Sequence, residues 1–130
     1  MSDKKVLVLD DEELILELVK DILTVFGFRV KTAVDGIQAV ELFRRAWEKG
    51  EPFDLVILDM TLPGELDGVA TLENIRAIDP DVKAIISSGY TGEDIMSNPG
   101  KYGFDAAVSK PYSVSVLHQV IQGLVDDAHS

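Results

Sequence analysis

The chain has 130 residues, no cysteine and a formal net charge of -11, from 23 acidic and 12 basic side chains. That length suits one domain with its own core, and the missing thiols exclude a disulfide framework or a thiolate metal site. The acidic excess opposes direct nucleic-acid binding. No apolar run reaches the roughly 18 residues that cross a bilayer, and "MSDKK" passes straight into "VLVLD" without a signal-peptide stretch, so a cytoplasmic location without membrane contact is expected.

Short β-rich apolar runs alternate with longer segments of helical spacing. The first run is "KVLVLD" (5–10), followed by Leu14, Leu18, Ile22 and Phe26 at i, i+4 and a stop at Gly27. "FRVKTA" (28–33) alternates Arg29 and Lys31 against Val30, which marks an edge strand. Ile37, Val40, Phe43 and Trp47 then share a helical face that ends at Gly50 and Pro52. "DLVILD" (54–59) precedes Val69, Leu72 and Ile75, with Pro80 beyond. "VKAIISS" (82–88) leads into the weakest helical segment, around 91–98, cut by Pro99-Gly100. "DAAVSK" (105–110) is followed by Val114, Leu117, Ile121 and Leu124, with Ser113 placed to cap them. Such alternation predicts an α/β fold with helices on both faces of a parallel sheet.

In a doubly wound sheet, ligands bind beyond the carboxyl ends of the strands. Those ends carry Asp10-Asp11-Glu12, Asp59, Ser87-Ser88-Gly89 and Ser109-Lys110-Pro111. Carboxylates crowded together repel and resist ionisation. A hard divalent cation relieves this, and Mg²⁺ takes one or two carboxylates, waters and a phosphate oxygen. Lysine adds a further positive charge, and a hydroxyl can donate to a phosphoryl oxygen. The set describes phosphoryl transfer to a carboxylate, with Asp59 as nucleophile. An NTPase would need a G-x-x-x-x-G-K-[ST] loop, which is absent. "DDEEL" does not supply the D-x-D-x-[TV] of a haloacid-dehalogenase-type phosphatase.

"VLVLDDEE", "LVILDMTLPG", "IISSGYT" and "VSKPY", in this order and spacing, resemble the motif set of bacterial response-regulator receiver domains. The resemblance spans nearly the whole chain and implies a single receiver domain over 1–130, with its core roughly at 4–126. It implies a flavodoxin-like doubly wound five-stranded parallel sheet in the order 2-1-3-4-5, with five helices. It further implies a Mg²⁺-dependent phosphoacceptor, not an enzyme acting on an external substrate. The phosphoryl group would come from a histidine kinase or histidine phosphotransfer domain.

Residue by residue, Asp59 matches the phosphoacceptor. Asp10 and Asp11 match the acidic metal pair, Asp11 the more direct ligand, and the carbonyl of Thr61 matches the main-chain ligand. Ser88, just before Gly89, matches the switch hydroxyl, with Ser87 its competitor. Lys110 matches the family's lysine, and the Lys110–Pro111 bond is cis in the family. Glu12 and Glu13 are read as helix N-terminal charge, and His118 and His129 as surface residues. The face of helix 4, strand 5 and helix 5 is where such receivers often dimerise. Two features depart from the commonest pattern. Ala107 stands where an aromatic residue is usual, and the turn "MTLPGELDG" is one residue longer, as in receivers of hybrid sensor kinases.

Overall fold

The structure, a computed structural model, describes residues 4–60, 66–89 and 94–126. Five strands, β1 (Lys5–Leu9), β2 (Arg29–Ala33), β3 (Leu55–Asp59), β4 (Lys83–Ser88) and β5 (Ala106–Ser109), form one sheet. All neighbours pair in parallel, in the order β2-β1-β3-β4-β5. The helices are α1 (Glu13–Val25), α2 (Gly36–Glu48), α3 (Gly68–Ile78), α4 (Asp94–Ser97) and α5 (Val114–Asp126), with a 3-10 turn at Pro99–Tyr102 after α4. The expected flavodoxin-like order is the one found.

The sequence of each strand follows from its place. β1, β3 and β4 lie inside the sheet with both faces covered, which is why their runs are apolar except at the ends. β2 is an edge, and its Arg29 and Lys31 point to solvent. Successive side chains feed opposite layers. Val6, Val8, Leu55, Ile57, Ile85 and Val108 pack with α1 and α5 residues such as Val19 and Leu117. Leu7, Leu9, Val56, Leu58, Ala84 and Ile86 pack with Phe43 of α2, Ile75 of α3 and Ile95 of α4.

Several helical faces differ from expectation. In α1 the buried residues are Leu16, Val19 and Leu23, whereas Leu14 is 80% exposed and Leu18 46%. In α2, Val40 and Phe43 are buried while Ile37 and Trp47 face outward. In α5, Leu117 and Ile121 are buried and Val114 is exposed. His118 is half-buried at the surface, where its ring stacks on Phe26 with centroids 4.2 Å apart, joining α5 to α1. His129 lies outside the described residues.

The punctuation is local chemistry. Gly27 (φ +92°) and Gly50 (φ +76°) follow α1 and α2 in left-handed conformations that a side chain would strain. Asp35 and Asp67 cap α2 and α3, accepting from Gln38 N and Ala70 N, each at 2.8 Å. Ser113 Oγ accepts from Val116 N at 3.4 Å, as its expected capping role requires. Arg76 of α3 ties the distal end of the sheet together. Its guanidinium donates to Val82 O at 2.9 Å, to Asp105 Oδ2 at 3.1 Å and to Gly103 O.

Candidate phosphoryl-transfer site

The strand ends bring Asp10, Asp59 and Lys110 into contact. Asp59 is the last residue of β3, opposite Ser87 in the register. Asp10 follows β1, its backbone N–H held by Ala33 O at 3.2 Å. Lys110 follows β5, its N–H donating to Ser88 O at 2.8 Å. Asp10 is 1% exposed and Asp59 7%. Lys110 Nζ lies 2.5 Å from Asp10 Oδ2 as an ion pair, and donates to Asp59 Oδ2 at 3.2 Å. Asp10 Oδ1 accepts from Glu12 N at 2.9 Å, turning the chain into α1.

Burial alone would pull the Lys110 ammonium down. The bond to Asp10 and the charge of Asp59 outweigh it and hold the lysine above its usual value. Lys110 is therefore a fixed cation between two carboxylates. Beside them, carboxylate oxygens of Asp10, Asp11 and Glu12 lie within 4.8 Å of one another, so Glu12, read from sequence as helix-terminal charge, also stands in the acidic cluster.

The donor set suits a hard divalent cation. It consists of oxygens, and one lysine does not balance Asp10, Asp59 and the more exposed Asp11. Asp10 Oδ2 is buried and, beyond its ion pair with Lys110, has no hydrogen-bond partner among the described residues. Its charge is met by the Lys110 ammonium, and an ion held in the acidic cluster would share that carboxylate with the lysine. Thr61, expected to offer its carbonyl, lies outside the described residues, as do Pro63 and Gly64 of the lengthened turn.

Ser87 and Ser88 end β4, both buried. Ser87 Oγ is 2.6 Å from Tyr112 Oη. Ser88 pairs with Ser109 in the β4–β5 register. Ala107 lies opposite Ile86 and packs, half-buried, on the layer shared with α2 and α3. The Lys110–Pro111 peptide is cis, as the resemblance implies.

Two participants carried weaker signals in the sequence. Gly68 opens α3, and a Cβ there would meet Asp59 O at 2.4 Å. The bare backbone lets the helix start against the carbonyl of Asp59; the only hint was the turn-forming Asp67-Gly68 pair. Tyr112 was visible merely as the aromatic after "KP".

The fold and this geometry agree with the chain's relatives. The response regulator receiver domain family matches residues 6–122. Sporulation initiation phosphotransferase F of Bacillus subtilis is 27% identical over 122 residues, covering 94% of each chain. The transcriptional regulatory protein PrrA of Mycobacterium leprae is 32% identical over 125 residues, and there the chain spans 51% of the relative's length. The fold superposes with a TM-score of 0.84 and 27% identity on the crystal structure of the CheX-CheY-BeF3-Mg complex from Borrelia burgdorferi, covering 94% of this chain and 89% of that one. With the five-stranded order, the acidic strand ends and the lysine beyond β5 all in place, the chain belongs to the response regulator receiver domain family.

Proposed function

We propose that this receiver accepts a phosphoryl group on Asp59 in a Mg²⁺-dependent reaction, from a histidine kinase or phosphotransfer protein, and changes conformation in response. The observation that carries the proposal is Lys110 Nζ held between the buried carboxylates of Asp10 and Asp59 at the carboxyl edge of the sheet. In the transfer, an Asp59 carboxylate oxygen forms a bond to phosphorus. The bond from phosphorus to the donor breaks, and its electron pair leaves on the imidazole nitrogen of a phosphohistidine or on acetate from acetyl phosphate. The product is an acyl phosphate.

Asp10, Asp11, Asp59 and the Thr61 carbonyl would hold Mg²⁺, which would supply charge neutralisation for the phosphoryl oxygens. Lys110 offers a permanently protonated donor to the same oxygens, and charge-assisted bonds of this kind are strong. The hydroxyl of Ser87 is engaged by Tyr112, which favours Ser88 as the hydroxyl that turns toward the phosphoryl group. No helix among the described residues is long and apolar enough to cross a membrane, which fits action in the cytoplasm. Exposed Val114 and Val116 on α5 support a dimer face formed by α4, β5 and α5. The receiver core is taken as roughly residues 4–126, whether it stands alone or within a hybrid kinase.

The test is direct. Incubated with acetyl phosphate and Mg²⁺, the intact chain gains one phosphoryl mass, and Asp59→Asn removes the gain because an amide cannot form the acyl phosphate. Equal labelling of the Asn variant refutes the assignment.

A further inference from the structure

Tyr112 Oη and Ser87 Oγ meet at 2.6 Å in the layer under α1 and α5. Their place in the fold gives the contact its meaning. Ser87 is the register partner of Asp59 and is 1% exposed. Tyr112 lies two residues past Lys110 and packs half-buried against the α1–α5 layer. The segment from Lys110 to Tyr112 is thus fastened to the end of β4 twice. Lys110 N donates to Ser88 O at 2.8 Å at one end, and the two hydroxyls join at the other. Between these fastenings the Lys110 side chain reaches Asp10 and Asp59.

Packing gives no reason for hydroxyls here. Ala84, Ile85 and Ile86 fill the preceding positions of β4 with apolar groups, and a buried hydroxyl is tolerated only when bonded. The pair satisfies itself while joining the acceptor's neighbouring strand to the turn that carries the lysine. Burial pushes the Tyr112 phenol above its usual value, so it remains a neutral donor or acceptor throughout the physiological range.

We propose that Tyr112, through Ser87, is a positioning residue for phosphoryl transfer to Asp59: the hydroxyl pair fixes the turn that sets Lys110 Nζ between Asp10 and Asp59. This rests on the receiver reading above. Tyr112 touches no reacting atom. In the transfer the Asp59 oxygen–phosphorus bond forms and the phosphorus–oxygen bond to acetate breaks, the electron pair leaving on acetate. Lys110 must face the phosphoryl oxygens during that exchange. Small errors in placing such a group are expensive in rate, since displacements of about 1 Å can cost up to ~100-fold.

The experiment uses the full chain, acetyl phosphate at saturating concentration and a Mg²⁺ titration. Tyr112→Phe removes one oxygen and keeps the ring. The saturating phosphorylation rate is expected to fall about 3- to 10-fold, a fraction of the full misplacement penalty because the backbone fastening remains. Mg²⁺ affinity should stay within about twofold, because none of the acidic ligands has been altered. Ser87→Ala should give the same fall, and the double variant no more than either single one, the mark of a shared interaction. Ser87→Thr, which keeps the hydroxyl, should recover the rate. If Tyr112→Phe fails to fold, Ser87→Ala and Ser87→Thr carry the comparison.

A rate unchanged in both Tyr112→Phe and Ser87→Ala overturns the positioning role. So does a loss of rate matched by an equal loss of Mg²⁺ affinity, which general loosening of the site produces. Failure of the unaltered chain to label at Asp59 overturns the phosphoacceptor proposal instead. Normal labelling of that chain confines any failure to the role of Tyr112.

Discussion

Gly68→Ala and Gly123→Ala add the same methyl group to two helices, and the structure assigns them opposite outcomes. At Gly123, in α5, nothing lies within 4 Å of the added carbon. The substitution should stabilise the chain by up to about 1 kcal/mol through helix propensity and a less free unfolded chain. At Gly68 the carbon would sit 2.4 Å from Asp59 O and 3.1 Å from Ile86 Cδ1. Ordinary contact begins near 3.4 Å, so α3 must retreat by about 1 Å or the β3 carbonyl must tilt, a class of strain costing about 1–3 kcal/mol. The propensity gain is reduced at the first residue of a helix, leaving a net loss of about 1–2 kcal/mol. For a chain of this size that lowers the melting midpoint by about 3–8 °C. The obstructing atom belongs to Asp59, the proposed acceptor, so labelling by acetyl phosphate should slow as well. Thermal melts and labelling rates of both variants, side by side, check the reasoning. Stabilisation by both substitutions would refute it, since the close approach at Asp59 would then carry no weight.

Arg76→Met keeps the aliphatic stem and removes the guanidinium that bonds Val82 O, Gly103 O and Asp105. With the Arg76–Asp105 pair about a quarter to a third exposed, the expected loss is about 2 kcal/mol, read as a lower urea midpoint with an unchanged slope. Tyr112 predicts an alkaline effect. Burial, helped by Asp10 and Asp59 against Ser87 and Lys110, holds its phenol above 10.0. The unfolded phenol therefore loses its proton first, so this contribution is complete below about pH 10 and is lost as pH rises through the folded value. The difference in urea midpoint between the unaltered chain and Tyr112→Phe should narrow across that range.

The acidic strand ends were legible because strands alternate simply and stop abruptly. Apolar runs ending at Asp10, Asp59 and Ser88, with Lys110 beyond the last, needed just one assumption: that parallel strands share a carboxyl edge. Helical faces were harder. Apolar residues make up more than half of α1, Leu14, Ile15, Leu16, Leu18, Val19, Ile22 and Leu23 among them. An i, i+4 row can then be drawn on more than one side, and spacing finds the helix without finding its inner face. Leu14 and Leu18 were such a row, on the outside. The contacts of Tyr112 with Ser87 and of His118 with Phe26 were hidden for another reason. They join segments far apart in sequence, and only the β4–β5 register and the packing of α5 on α1 bring them together.

The proposed output follows from how α4 is fastened. Its described part, Asp94–Ser97, runs into a 3-10 turn at Pro99–Tyr102. Asp94 joins the two pieces. Its carboxylate accepts from Asn98 Nδ2 at 2.9 Å, Lys101 Nζ at 3.2 Å and Tyr102 Oη at 2.8 Å. The far end is fixed as well, because Gly103 O is held by Arg76 of α3. Ile95 anchors α4 to the core, and Ala107 brings a methyl where a ring would fill the layer. The unit is therefore tied internally and pinned at the end distant from the phosphoryl site. On the proposed reading, movement of Ser88 toward a phosphorylated Asp59 pulls on its near end through the chain after Gly89. A body pinned at one end and pulled at the other turns about the pin, so displacement is greatest near Asp94 and small at Gly103. With Ala107 in place of an aromatic residue, β5 has no large side chain to reorient. The signal is then carried by the position of α4, and a partner that reads it contacts α4 directly.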